Sequence, residues 1–246
     1  RSGTHPEVED VHNLRLNQST VRKIISFLKS KKKEDKYLKL FHLTKNLNIY
    51  PFITERIDRI LNSKGEIKND ASQELKNIRQ SIVSKENQVS GKIHRILEKA
   101  KQKGIVVEDT SLSIRYGRTV IPIDAGNKRK IPGLVQDESA SGKTVYIEPT
   151  EVVEINNEIR ELQYAEKREI IKILTEFADD IRPYLEDLLS ANDFLGTIDF
   201  IRAKALYARE INAIKPSLVN KPHIRWLEAI HPVLYLNLKK ENREVV

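Results

Sequence analysis

The fold of this chain is decided by residues 115–149, which read RYGRTVIPIDAGNKRKIPGLVQDESASGKTVYIEP. The stretch is rich in β-branched residues and in turn-forming glycine, asparagine, serine and proline, a composition that favours short strands joined by tight turns. It predicts three or four antiparallel strands, with turns centred on Tyr116–Gly117, Ala125–Asn127 and Ser139–Gly142. The proposed strands are Leu112–Arg115, Val120–Ile123, Lys130–Gln136 and Thr144–Ile147.

Two segments of helical periodicity flank this β-rich stretch. Apolar residues recur at spacings of three and four through 69–103, and 150–186 repeats the pattern over a similar length, interrupted by Glu166. Gly104 stands where a helix-ending residue is expected, and Pro149 where a first helical residue is expected. Matched helices separated by an insert of about 45 residues should run antiparallel and hold the insert at their shared end.

The sequence therefore predicts a mainly α fold: a helical core plus a long antiparallel coiled-coil arm that carries a small antiparallel β insertion at its tip. Prolines at 216, 222 and 232 predict an extended connector in 214–238. The sequence opens RSGTHPEVED without methionine, and we expect it to be a piece of a longer protein. The predicted parts are a core of residues 1–65 and 187–230, arm helices in 66–104 and 150–186, the β insertion in 105–149 and the start of a connection to a further domain in 231–246.

The charge balance points to a polyanionic partner. Lysine and arginine number 43 against 35 acidic residues, which gives a net charge of +8 and favours binding to nucleic acid. Cations on exposed turns can contact a phosphate backbone without reading base sequence. The alternative is that they only keep a small sheet soluble. The candidate nucleic-acid-binding residues are Arg115, Arg118, Lys128, Arg129, Lys130 and Lys143.

Several chemistries find no support in the sequence. Cysteine is absent, which excludes disulfides and thiolate chemistry. The run Ser141–Thr144 resembles the end of a phosphate-binding loop, but Asp137 occupies the place of the required earlier glycine, and a predicted strand follows where a helix is needed. The six histidines are scattered without metal-ligand spacing, and no nucleophile and base can be paired. We therefore predict neither a catalytic nor a metal site, and no membrane span or signal peptide.

One longer motif is distinctive enough to indicate a family. The run IPGLVQDESASGKTVYIEPTEVVEINNEIRELQYAEKREI resembles the second, non-mismatch-repair branch of the bacterial MutS family. The resemblance extends to RYGRTVIPI, to GEIKNDASQELKNIRQSI, to DFIRAKALYARE and to HPVLYL, and so covers nearly the whole chain. The helices before Tyr50 are the least distinctive part.

The resemblance implies a core, lever and clamp arrangement, in which two helical levers end in a small β clamp. It also implies a homodimeric bacterial cytoplasmic protein whose ATP and Mg²⁺ bind in a separate ATPase domain, approached through HPVLYL. Members of this branch usually carry a nuclease-type domain, and their proposed roles are suppression of recombination on branched DNA and action on collided ribosomes or rRNA. A protein-interaction or dimerisation arm, contacting a ribosomal protein or a second subunit, is the alternative.

The family's clamp motif falls on several turn residues of the insertion. We expect Gly133 and Gly142 to supply turn or close-packing geometry, and Glu148–Pro149 to start the return helix. Gln136 replaces the histidine that the family commonly has there. The structural positions of the clamp motif are Gly133, Ser139, Ser141, Gly142, Glu148 and Pro149.

Overall fold

The structure, a computed structural model, describes residues 5–31, 37–227 and 229–241. It is mainly helical with one small antiparallel sheet, as the sequence predicts. The chain divides into two compact units: the first combines the residues up to Arg15 with Tyr50–Pro183, and the second combines Leu16–Ile49 with the residues from Tyr184 on. The helices are α1 (Val8–Ser30), α2 (Leu38–His42), α3 (Pro51–Ile60), α4 (Gln73–Gln102), α5 (Thr150–Ile181), α6 (Leu185–Glu210) and α7 (Pro232–Lys240).

Two long helices, α4 and α5, form the frame of the first unit. Polar contacts join Ser72 to Glu169, Arg79 to Glu166 and Lys85 to Glu158. Because the partner number falls along α5 as it rises along α4, the helices run antiparallel, as their matched apolar patterns predict. The predicted interruption at Glu166 is explained by its ion pair with Arg79, whose Nε lies 2.7 Å from the carboxylate.

Local signals set the ends of both helices. Ser72 caps α4, because its hydroxyl oxygen accepts from the backbone nitrogen of Leu75 at 3.0 Å. At the other end Gly104 has φ +64, and the nitrogens of Gly104 and Ile105 donate to Lys101 and Ala100, which is the Schellman pattern. The prediction that Pro149 is the first helical residue of α5 is off by one, because Pro149 ends the preceding strand and caps the helix.

The sheet contains four strands: β1 (Ser113–Arg115), β2 (Arg118–Asp124), β3 (Gly133–Glu138) and β4 (Thr144–Pro149). All pairs are antiparallel, in the spatial order β1, β2, β4, β3. The three predicted turns are confirmed. The predicted third strand began at Lys130, but β3 begins at Gly133 because Lys130 closes a turn by donating its backbone N–H to Asn127.

One face of the sheet shares its core with the last turns of α4. Ile93, Leu97 and Ala100 of α4 pack with Ile121 of β2 and Ile147 of β4, and all five are at most 4% exposed. A second apolar cluster joins Val89 of α4 to the first turns of α5. The sheet therefore has no core separate from the helix that leads into it.

The second unit packs the later part of α1 against α6, with Val21, Ile25, Ala191 and Phe194 at its centre. The predicted extended connector is wrong in part, because α7 forms within it: Pro232 starts the helix and His231 caps it. The side chain of Lys239 in α7 donates to Glu210 at 2.7 Å, and this hydrogen bond lowers the pKa of Glu210.

Candidate nucleic-acid interface

Three consecutive cations, Lys128, Arg129 and Lys130, lie exposed in the loop between β2 and β3. A short 3-10 turn over Ala125–Asn127 precedes them and fixes the start of the loop. The side-chain nitrogen of Asn127 donates to the carbonyl of Ile105 at 3.0 Å, which ties the loop to the segment directly after α4. Among the residues that the structure describes, no acidic group pairs with any of the three cations. Their charge is therefore available to a ligand.

Lys143 lies on the neighbouring turn between β3 and β4. Here Gly142 has φ +67, its nitrogen donates to Ser139 at 2.7 Å, and the Ser139 hydroxyl accepts from the nitrogen of Thr144 at 3.0 Å. Ser141 lies 3.4 Å from that hydroxyl. The SASGKT run is thus a hairpin turn followed by a strand, and no helix N-terminus stands behind it. The exposed Lys143 borders a cavity of about 730 Å³ that Asp109 and Asp124 also line.

The structure places Arg115 among protein partners. Its Nε lies 3.0 Å from the carboxylate of Asp137, and its guanidinium carbon lies 3.8 Å from the centre of the Tyr146 ring. A further hydrogen bond joins it to the hydroxyl of Ser113. The guanidinium is thereby held against the sheet surface, in contrast to the loop lysines.

Arg118 is bound more closely still, because it neutralises the buried carboxylate of Glu148. One guanidinium nitrogen donates to both oxygens of Glu148, at 2.9 and 2.7 Å, and the other donates to Asn157 of α5. Asn156 and Gln136 complete the shell with hydrogen bonds of 2.6 and 2.5 Å to the same carboxylate. Glu148 is fully buried, and all of its oxygens are satisfied. This network could not be read from the sequence, since its members come from four separate elements.

A β-bulge places Gln136 in this network. Val135 pairs with Ile147, but Asp137 pairs with the very next residue, Tyr146, so Gln136 is the extra residue on β3. Bulges re-aim side chains and bend the strand, and here the amide of Gln136 points to Glu148. Gln136, at the position where the resemblance leads one to expect histidine, is thus a contact to a buried acid.

Gly133 and Pro149 occupy tight positions beside Glu148. A Cβ on Gly133 would collide with the backbone oxygen of Glu148 and with the side chain of Ile147, so only glycine fits at that point of the β3 and β4 pair. Pro149 is buried at the junction of β4 and α5, and the nitrogen of Thr150 donates to Pro132 at 3.0 Å. These contacts fix the loop 128–132 against the start of α5.

The structure also reveals cations that sequence reasoning missed. A groove with a volume of about 280 Å³ lies between the last turns of α4 and the loop that ends in Lys130. Its apolar lining residues are Ile96, Ala100, Ile105, Ile131 and Pro132, and Glu151 is the one acid among its lining residues. The sequence contained a pattern that could have revealed this groove, namely a cation every three or four residues on the polar face of α4. The cations that line this basic groove are Lys92, Arg95, Lys99, Lys103 and Lys130.

Two further properties of the described residues bear on function. No three histidine, aspartate or glutamate side chains among them are grouped to hold a metal ion. No helix in the described ranges has the length and apolar character that crossing a membrane requires.

Together these features define a helical protein whose antiparallel helix pair carries a small sheet with a cation-rich surface. No family model matches the chain. The chain is 36% identical over 218 residues to an endonuclease MutS2 from Geobacillus sp. (strain WCH70), which is 88% of this chain and 28% of that relative. It is 33% identical over 235 residues to endonuclease MutS2 from Alkaliphilus oremlandii, or 96% of this chain and 30% of the relative.

A third relative, endonuclease MutS2 from Finegoldia magna, is 39% identical over 184 residues, or 75% of this chain and 23% of its own length. The chain belongs to the MutS2 family, in agreement with the resemblance seen in its sequence. It spans less than a third of the length of these curated relatives.

Proposed function

We propose that this chain is the nucleic-acid-binding lever and clamp region, with part of the core, of a MutS2 protein. In this proposal α4 and α5 are the levers and the four-stranded sheet is the clamp. The observation that carries it is the loop Lys128–Lys130, with three adjacent exposed cations that have no acidic partner among the described residues. An unneutralised cluster on an exposed loop suits a phosphate backbone, whose negative charge is dense and independent of sequence.

The six candidate cations divide into two roles in this proposal. Lys128, Arg129, Lys130 and Lys143 contact phosphate. Arg115 and Arg118 hold the clamp together, because withdrawing Arg118 would leave the buried carboxylate of Glu148 without its cation. The clamp therefore binds ligand without disturbing its own internal ion pairs.

The proposal extends to the whole protein through its relatives. Their printed name is endonuclease, and we assign nuclease activity, ATP and Mg²⁺ binding and homodimer formation to regions outside this chain. The chain itself has a binding role and no catalytic one. Its place is the bacterial cytoplasm, where branched DNA and collided ribosomes are both available as targets.

The test is equilibrium binding of the 246-residue chain to fluorescent duplex DNA across a salt series. The variant Lys128→Ala/Arg129→Ala/Lys130→Ala should bind more weakly at low salt, and the slope of log K against log salt should fall by about 2.7, or 0.9 per lost phosphate contact. A matched control, Lys76→Ala/Lys167→Ala/Arg168→Ala, removes three exposed cations near the other end of the helix pair.

If the loop variant and the control lost equal affinity, the loss would be due to the change in net charge. That result would contradict the proposed site. A four-way DNA junction and purified ribosomes serve as further ligands in the same series. Whichever of the three ligands shows the largest loss on mutation of the loop identifies the target class of the clamp.

A further inference from the structure

The last three turns of α4, together with its C-cap residue Lys103, carry a row of cations that helix stability does not explain. Lys92, Arg95, Lys99 and Lys103 are all exposed. Spacings of three and four place like charges on adjacent turns, which destabilises an isolated helix. A helix C-terminus attracts cations only within its last turn, and Lys92 and Arg95 lie upstream of that turn. These four residues are called the α4 row below.

The α4 row is not neutralised by nearby acids. Glu98 is the one acidic residue between Asn87 and Lys103, and its carboxylate pairs with Lys101 at 3.2 Å. Arg95 donates its Nε to the helix carbonyl of Gly91, which leaves its charge uncompensated. In the part of the chain that the structure describes, no carboxylate lies within ion-pair distance of any of the four.

The geometry of the row fits an extended polyanion. At 100° and ~1.5 Å per residue, its four members fall within an arc of about 80° and span roughly 17 Å of the helix axis. One strand of duplex DNA presents a phosphate about every 3.4 Å along its axis, so the row is as long as about five phosphate steps, of which the winding of the strand brings only some to the helix. The row continues to Lys130 across the basic groove, which joins it to the cationic loop of the clamp.

The lining of the groove decides what part of a nucleic acid it can bind. Its apolar members are isoleucine, alanine and proline, without an aromatic ring. Single-stranded nucleic acid is usually bound by stacking its bases on aromatic side chains, and the groove provides no such platform. A straight row of cations on a helix instead suits the continuous phosphate backbone that a double helix exposes.

We propose that the α4 row is a second phosphate-binding site, which contacts one backbone strand of a double-helical nucleic acid while the loop Lys128–Lys130 contacts it beside the sheet. This inference rests on the proposed function and adds the ligand class, a duplex, and four binding residues. The helix is then part of the binding surface as well as the support of the clamp. The shared chemistry, a regular phosphate backbone, is offered by duplex DNA and by duplex RNA.

The experiment measures anisotropy of labelled 20-base-pair DNA duplex, the matching RNA duplex and a single strand of the same sequence. The test variant is Lys92→Ala/Arg95→Ala/Lys99→Ala/Lys103→Ala, and the control is Lys76→Ala/Lys167→Ala/Arg168→Ala/Lys172→Ala on the same helix pair. Alanine preserves helix propensity, and circular dichroism verifies folding of both. We expect the affinity of the test variant for the duplex to fall at least about tenfold at low salt. The slope of log K against log salt should fall by about 3 to 4, and both quantities should change little in the control.

Each outcome separates this inference from the proposed function. If the loop variant loses affinity and the α4 variant matches its control, the second site is wrong and the clamp proposal stands. If neither variant loses affinity, both fail. Equal losses for the duplex and the single strand would overturn the assignment of a double helix. The larger loss among DNA and RNA duplexes identifies the source of the backbone.

Discussion

Glu148 lies at the centre of a buried hydrogen-bond network that joins the sheet to α5. It is fully buried, and its partners come from β2, β3 and α5. A buried carboxylate is tolerated only when it is paired and fully hydrogen-bonded, and Glu148 meets both conditions. Ile147, its neighbour on β4, faces the apolar cluster shared with α4. Adjacent residues of one strand thus fix the sheet to both long helices.

The first prediction concerns the cation of this network. Arg118→Ala should lower the free energy of unfolding by about 3–5 kcal/mol, because it leaves a fully buried charge without its partner. Urea denaturation followed by circular dichroism measures the change. The matched control is Arg115→Ala, whose partner Asp137 is one-third exposed, and it should cost about 1 kcal/mol or less.

The double variant Arg118→Met/Glu148→Leu extends this test. Replacing a whole buried ion pair by apolar groups is often near neutral, so the double variant should be more stable than Arg118→Ala. A double variant less stable than the single one would show that the remaining amide groups of Gln136 and Asn156, left without their acceptor, dominate the cost.

At the scale of the element, the helix pair changes character along its length. In α4, all of which the structure describes, no side chain between Ile78 and Val89 is buried. The facing part of α5, from Ile159 to Ile173, likewise has no buried side chain between its ends. The Arg79–Glu166 ion pair lies in this middle section, the Lys85–Glu158 pair lies at its edge, and Arg79 also donates to Asn69 at 2.6 Å. A polar layer between two apolar ones fixes the register of paired helices at a cost in stability.

The second prediction tests this layer. Arg79→Leu and Glu166→Leu should each lower the free energy of unfolding by about 1–3 kcal/mol, because each leaves the half-buried charged partner without its ion pair. The double variant should cost less than the sum of the two, since leucines would continue the apolar seam. Urea denaturation of the four proteins gives the coupling energy, and additive costs would contradict the idea that the pair acts as a unit.

At the scale of the whole molecule, features that repeat at a regular spacing were predictable from the sequence. Contacts between residues far apart in the sequence were not. The two long helices follow from local spacing, and two of the turns follow from Gly117 and Gly142, whose φ is positive. The Glu148 network was not predictable, because residues 118, 136, 148 and 156 meet only after the strands have paired. The α4 row was visible as a spacing of cations, but the polar face of a helix is ordinarily solvated, and only its position beside Lys130 distinguishes it.

The third prediction concerns which piece of the molecule folds independently. Residues 105–149 alone should stay unfolded, because Ile93, Leu97 and Ala100 supply one side of the sheet's core. A fragment of residues 87–160 retains that core and the cluster of Val89 with α5, and we expect it to fold. Dispersion of amide resonances in NMR spectra distinguishes the two fragments, and a folded 105–149 would contradict the shared core.

The edges of the sheet limit how anything can join it. β1 has only three residues, and β3 is kinked by its bulge and ends in Asp137 and Glu138. A partner that extends a sheet by strand addition needs a long, flat edge with unpaired backbone groups, and neither edge offers one. Two copies are therefore not expected to join edge to edge through their sheets, and a ligand of this region is not expected to bind by adding a strand.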